Sequence, residues 1–181
     1  MKKIIIILLT LTFLQACGEK AKLEILGNVN IEKTSAYSKM YLFQVMGNNL
    51  SKMDSAIIEE NGDYHFKIKE EKNGIYLFGP NEMNLLTLIL DENSKKVNVN
   101  IEDGKFISNN YSVSGAQYSE EIAVFSKKMN ALRAEYMSKE VSVKRKNDIM
   151  SEILNSRGEF IKNHTNSPAL IAVLGQINPN T

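Results

Sequence analysis

The chain has 181 residues, with 22 Lys and Arg against 21 Asp and Glu, and a single cysteine. This near-neutral balance argues against a nucleic-acid-binding or polyanion-binding surface, which needs clustered basic residues. A lone cysteine excludes an intramolecular disulfide, a CxxC redox pair and a zinc–thiolate site. The length suits one compact domain, or a small domain with a helical appendage.

The N-terminus has the organisation of an export signal. Lys2 and Lys3 form a positive region, and residues 4–14 form an almost uninterrupted apolar segment. A stable membrane-spanning helix needs about 20 apolar residues, so this segment is too short to span a bilayer. Its length is typical of the hydrophobic region of a signal peptide.

Leu14-Gln15-Ala16-Cys17 resembles the bacterial lipobox, although Gln15 departs from the small residue usual at that position. The resemblance implies cleavage before Cys17 and acylation of its thiol, which would anchor the chain in a membrane. The alternative is an ordinary secretory signal, cleaved near Ala16, that leaves Cys17 as a chance thiol.

The lipobox interpretation divides the N-terminal region into a signal peptide over residues 1–16 and a lipidated tether over residues 17–22. Gly18, rather than aspartate, follows the cysteine. By resemblance to the sorting signals of diderm bacteria, this favours the outer membrane. The choice between its periplasmic and surface faces stays open.

The next region, residues 23–115, is predicted to be an antiparallel β domain. Short apolar or alternating segments favour strands; they cover residues 23–29, 41–45, 55–58, 64–68, 75–78, 85–90, 97–101 and 105–113. Connections too short for helices favour a β-sandwich or an open barrel over a parallel sheet.

Turn signals separate these strands. Asn61-Gly62, Asn73-Gly74 and Asp103-Gly104 each predict a tight hairpin. Pro80 predicts a break, because proline cannot donate to a strand ladder.

Residues 116–181 are predicted to form a helical extension of two to three helices. Apolar residues three and four positions apart place one face of a first helix toward the core; they are Ile122, Phe125, Met129, Leu132 and Tyr136. The same spacing predicts a second helix over about residues 142–163. Asn166-Ser167-Pro168 then predicts an N-cap followed by proline in the first turn of a short third helix.

Residues from about 23 to 118 resemble the N-terminal β domain (a domain of unknown function, DUF4369-like) of Bacteroidetes envelope lipoproteins. The order and spacing of five short motifs carry the resemblance; they are Leu26-Gly27, Met40-Tyr41-Leu42, Met53-Asp54-Ser55-Ala56, Gly62-Asp63-Tyr64-His65-Phe66 and Val113-Ser114-Gly115. In that family a thioredoxin-like, peroxiredoxin-related domain with a CxxC usually follows. This chain contains no CxxC, so the thiol–disulfide activity of that family is not carried over to it.

The polar residues that could carry chemistry have plainer explanations. His65 is expected on a solvent face with Lys67 and Lys69, and His164 just past a helix end, where a partly charged imidazole suits the dipole. We expect no metal site and no cofactor, because two histidines would have to converge with a carboxylate.

The remaining charged and polar runs are interpreted in the same way. Asp54-Ser55 is expected to bond local backbone at a strand edge. Glu59-Glu60 is expected to be solvated rather than a catalytic acid pair. Lys144-Arg145-Lys146 is expected to be a solvated helix face rather than a headgroup contact.

The sequence therefore predicts a membrane-anchored envelope lipoprotein that is not an enzyme and acts as a binding module for a protein partner or envelope ligand. The first alternative is an accessory or truncated member of a thiol–disulfide oxidoreductase system with a thioredoxin-like partner. The second is a structural component of the envelope.

Overall fold

A computed structural model describes residues 22–30, 37–47, 49–69, 73–82, 84–102 and 110–175. The predicted signal peptide, Cys17 and the Asp103-Gly104 turn lie outside these residues.

Eight strands form two four-stranded sheets. The strands are β1 (Leu23–Asn28), β2 (Lys39–Met46), β3 (Asn49–Ile57), β4 (Asp63–Ile68), β5 (Gly74–Asn81), β6 (Asn84–Leu90), β7 (Lys96–Ile101) and β8 (Tyr111–Ser114). Sheet A has the order β4-β1-β7-β8, and sheet B has the order β3-β2-β5-β6. The described strands form a sandwich-like arrangement rather than a barrel. All neighbours are antiparallel except β1 and β7, which pair in parallel.

The core lies between the two sheets because the strands alternate buried and exposed residues. In β4, for example, Tyr64, Phe66 and Ile68 are buried while the residues between them are exposed. Phe78 of sheet B meets two of these side chains, with ring centroids 5.4 Å from Tyr64 and 5.9 Å from Phe66. Apolar side chains from both sheets thus form one continuous core.

Two of the predicted hairpin turns are wrong. Asn61-Gly62 joins β3 of sheet B to β4 of sheet A, and Asn73-Gly74 precedes β5, which again lies in sheet B. The turn chemistry at Gly62 is as expected, since it has φ +88°. However, turn residues fix only the local bend, whereas the burial of the following apolar face decides which sheet receives the strand.

The hairpins in the described part of sheet B lie elsewhere. Strands β2 and β3 pair across Gly47, and β5 pairs with β6 just after Pro80. The predicted strand break at Pro80 is also wrong, because β5 continues to Asn81 through a register shift after Phe78. Such an irregularity is a place where a strand tolerates a residue that has no N–H to donate.

Three helices follow the sheets in the described residues, as expected: α1 (Gln117–Met137), α2 (Val143–Asn163) and α3 (Pro168–Gly175). The Ser142 side chain caps α2 by accepting a hydrogen bond from the Arg145 amide. At α3, the Ser167 hydroxyl accepts from the Ala169 amide, and Pro168 occupies the first turn.

The helices form a second core against the outer face of sheet B. Ile89 of β6 packs with Ile122 and Phe125 of α1, Ile149 and Phe160 of α2 and Val173 of α3, all of them buried. The Phe125 and Phe160 ring centroids lie 4.6 Å apart. The apolar faces predicted from the helical spacing therefore cover each other and the sheet.

Helix α1 also covers the edges of the sandwich, since it contacts β8 of sheet A and β6 of sheet B. The hydroxyl of Ser119, fully buried, donates to the Ile89 carbonyl at 2.9 Å and accepts from the Ile89 amide at 2.8 Å. One side chain thus takes the place of a neighbouring strand at this point of β6. Burial of the edge is possible because its polar groups are satisfied.

Candidate functional site

A polar cavity of about 390 Å³ opens on sheet A. Its lining comes from β1, β4, β7 and the loop before β4; the residues are Leu26, Gly27, Asn28, Glu59, Asp63, Tyr64, His65, Asn98 and Asn100. In the sheet register Leu26 lies opposite both His65 and Asn98, and Asn28 opposite Asp63. The cavity is therefore built on paired strands, which fix the positions of its side chains.

One wall of the cavity is held by a hydrogen-bond network. The Asn28 Nδ2 donates to Asp63 Oδ1 at 2.8 Å and to the Asn61 carbonyl at 2.9 Å. The other Asp63 oxygen accepts from Asn61 Nδ2 at 2.8 Å. Both donors of the Asn28 amide and both oxygens of Asp63 are engaged, so these two side chains are fixed before any ligand arrives.

Gly27 of β1 lines the cavity at a point where the sheet is tightly packed. The paired register of β1 and β7 is interrupted between Leu26 and Val29. There the Tyr64 hydroxyl donates to the Val99 carbonyl, and a Cβ on Gly27 would overlap both partners. Burial raises the pKa of Tyr64 well above its ordinary value, so the phenol stays a donor. Next to this point, the backbone N–H of Asn28 donates to the side-chain Oδ1 of Asn100 at 3.0 Å.

The rim pairs a histidine with a carboxylate. His65 Nε2 lies 3.2 Å from Glu24 Oε2, and both side chains are substantially exposed. His65 is on the solvent face of β4 with Lys67 and Lys69, as the alternation indicated. Glu59 is exposed, as expected, and it lines the cavity together with Asp63.

Asn98 has unused hydrogen-bonding capacity. It is half-buried and lines the cavity. Its side-chain amide has no hydrogen-bond partner among the described residues. The side-chain oxygen of Asn100 accepts from the backbone N–H of Asn28. The two side-chain N–H donors of Asn100 have no partners among the described residues. Sequence reasoning missed Asn28, Asn98 and Asn100. The alternating Asn98-Val99-Asn100 is a polar face that could have indicated them.

A second concave surface, an apolar groove of about 400 Å³, lies on the helices. Val124 and Phe125 of α1 face Phe160 of α2 and His164 at the end of that helix. The His164 ring stacks on Phe160, with centroids 3.9 Å apart. Val124 is 71% exposed, which makes it the accessible apolar side chain of this groove.

His164 joins α1 to α2. Its Nδ1 lies 2.8 Å from the Phe160 carbonyl, and its Nε2 lies 3.3 Å from Glu121 Oε2. Both partners are acceptors, so the ring donates to both only as an imidazolium. His65 lines the cavity on sheet A instead, and the two histidines do not share a cavity.

The other singled-out residues have structural contacts. Asp54 Oδ1 accepts from the Ser55 amide at 2.7 Å, which is the local backbone bond expected at this strand. Arg145 was expected on a solvated face, but it binds Glu135 of α1 with two bonds of 2.7 and 2.9 Å and also contacts Glu152. This guanidinium lowers the pKa of the Glu135 carboxyl.

Two features are absent from the described part of the chain. No group of three or more His, Cys, Asp or Glu there is placed to hold a metal ion. No helix in this part of the chain has the length and apolar character needed to cross a membrane.

Comparison with known proteins identifies the family. The family described as "Domain of unknown function (DUF4369)" matches residues 23–122, which is more than half of the chain. The chain therefore belongs to this family. The match runs from β1 into α1 and includes both sheets and Ser119. No curated protein matches the chain.

Proposed function

We propose that this DUF4369 protein is a lipid-anchored protein of the bacterial cell envelope that acts as a non-catalytic binding module. The observation that carries the binding role is the cavity on sheet A. Its wall residues Asn28 and Asp63 are held in place, while the amides of Asn98 and Asn100 keep donors free for a ligand. A fixed wall with unused polar groups is what a binding site needs.

The anchoring role rests on Leu14-Gln15-Ala16-Cys17. Acylation of Cys17 would bury methylene groups worth about 0.8 kcal/mol each, and two or more chains together hold a protein stably at a bilayer. With Gly18 after the cysteine, the outer membrane is the proposed location.

Metabolic labelling with an alkyne fatty acid tests the anchor. The wild-type protein should incorporate the label and fractionate with membranes, whereas Cys17→Ser should do neither. Gln15→Ala, which brings the lipobox closer to its usual form, is the matched control and should keep both properties. An unlabelled wild-type protein, or Cys17→Ser that stays labelled, would contradict the anchor.

Photo-crosslinking in living cells tests the binding role. A benzophenone amino acid at position 98 lies in the cavity, and the same residue at position 158 lies on an exposed part of α2. Position 98 should give a discrete adduct that position 158 does not. No adduct at position 98, or equal adducts at both, would contradict a binding role for this cavity.

A second candidate function is an accessory role beside a thioredoxin-like protein. The apolar groove on the helices favours it, because Val124 leaves an apolar side chain exposed there. Wild-type protein used as bait should then recover a thioredoxin-like protein, and Val124→Lys should lose it. Recovery of no such protein by the wild type would count against this role.

A further inference from the structure

We infer that the cavity on sheet A is a binding site for a neutral saccharide, an inference that rests on the proposed binding role. Three properties of the cavity favour this ligand. They are the hydrogen-bonding groups that it leaves unused, the sign of its charge, and the apolar character of its floor.

The unused groups match hydroxyls. The amide of Asn98 offers donors and an acceptor, and Asn100 adds two donors, with no partner for them among the described residues. A half-buried amide is normally satisfied by a ligand or by water. A sugar hydroxyl both donates and accepts, so adjacent hydroxyls can meet such amides and a carboxylate together.

The two carboxylates that line the cavity disfavour anionic ligands. Glu59 and Asp63 both line it, and His65 is engaged by Glu24 at its rim. A sulfated or carboxylated sugar would be repelled by these carboxylates. A neutral sugar instead uses them as acceptors for its hydroxyl protons. Asp63 retains this capacity, because each oxygen has more than one lone pair and accepts one bond from an asparagine side chain.

The floor suits the C–H face of a sugar ring. Leu26 lies in β1 between His65 of β4 and Asn98 of β7, and it is the apolar aliphatic side chain of the lining. An apolar contact bordered by polar groups orients a ligand that has one apolar and several polar faces. Sugars have this combination, whereas a small cation does not.

The test uses the full-length lipidated protein in detergent micelles on an array of neutral and sulfated oligosaccharides, with hexalysine as a cationic probe. At least one neutral oligosaccharide should bind, and its sulfated form should not. Asn98→Ala should weaken that binding by about tenfold or more, because it removes the free amide. Gly158→Ala, far from the cavity on α2, should leave it unchanged.

Asn98→Asp separates a sugar from a cation, because it keeps the shape while replacing two donors with negative charge. This substitution should weaken binding of the neutral saccharide and strengthen any binding of hexalysine. Binding of hexalysine alone, binding unaffected by Asn98→Ala, or no neutral ligand on the array would overturn the inference. An adduct at position 98 in cells together with an empty array would leave the binding role standing and remove only the saccharide.

Discussion

Gly27 is the residue at which sheet A leaves no room for a side chain. The Tyr64 hydroxyl passes over it to reach the Val99 carbonyl between β1 and β7. Gly27 also lines the proposed binding cavity, so the close packing of Tyr64 and Val99 lies directly beside the site.

We predict that Gly27→Ala lowers the free energy of unfolding by about 1–3 kcal/mol or more, because the new methyl group must displace Val99 or Tyr64. Gly158→Ala is the matched control. It lies in α2 with no heavy atom near its added Cβ, so it should raise stability by about 0.5–1 kcal/mol. Urea unfolding measures both. A cost below about 1 kcal/mol for Gly27→Ala would contradict the packing described.

Tyr111 makes the folded protein less stable as the pH rises into the alkaline range. Burial raises its pKa to about 12, against an ordinary value of 10.0, although a hydrogen bond with Ser126 partly offsets the rise. Between these pH values the unfolded chain has lost the phenol proton that the folded chain keeps. The unfolded state then binds fewer protons, so stability falls as pH rises.

We predict that this residue alone contributes a decline of up to about 1.4 kcal/mol per pH unit between pH 10 and pH 12. Tyr111→Phe removes the phenol, so its stability should decline less steeply there than that of the wild type. Urea unfolding monitored by circular dichroism between pH 8 and 11.5 measures the two slopes. Equal slopes would show that Tyr111 ionises as easily in the folded protein as in the unfolded chain.

At the scale of elements, α1 holds the sandwich together at its edge. It packs on β8 through Tyr111 and Ser126, and it completes β6 through Ser119. The family match extends through Ile122. The first turns of α1 therefore belong structurally with the sheets that precede them.

We predict that Ser119→Ala lowers the free energy of unfolding by about 1–3 kcal/mol, because it leaves the buried backbone N–H and carbonyl of Ile89 without the hydroxyl that they bond. The amide hydrogen of Ile89 should also exchange faster with solvent. Ser112→Ala, at an exposed position of β8, should change stability by less than about 0.5 kcal/mol. Similar costs at both serines would contradict the edge-completing role.

For the whole molecule, the sequence predicted the architecture well where periodicity decides it. Alternation located the strands around Leu23 and Tyr64, and the helical spacing of Ile122 and Phe125 identified the face that forms the second core. Local chemistry also predicted the Ser167 cap and Pro168 in the first turn. In each case neighbouring residues determine the outcome.

The features that the sequence did not predict are those fixed by distant contacts. Three examples join segments that are separate along the chain. They are the parallel pairing of β1 with β7, the crossing from sheet B to sheet A at Gly62, and the bidentate ion pair of Arg145 with Glu135. The cavity on sheet A belongs to the same class. Asn28, Asp63 and Asn98 are unremarkable in sequence and meet only through strand pairing.

The central claim is that this binding module is held at a membrane by lipid on Cys17. The most direct test is the mass of the N-terminal peptide of the native protein, extracted from the membrane fraction. We predict a peptide that begins at Cys17 and carries a diacylglyceryl group and an amide-linked acyl chain. A peptide with an unmodified Cys17 thiol, or one that begins elsewhere, would contradict the claim.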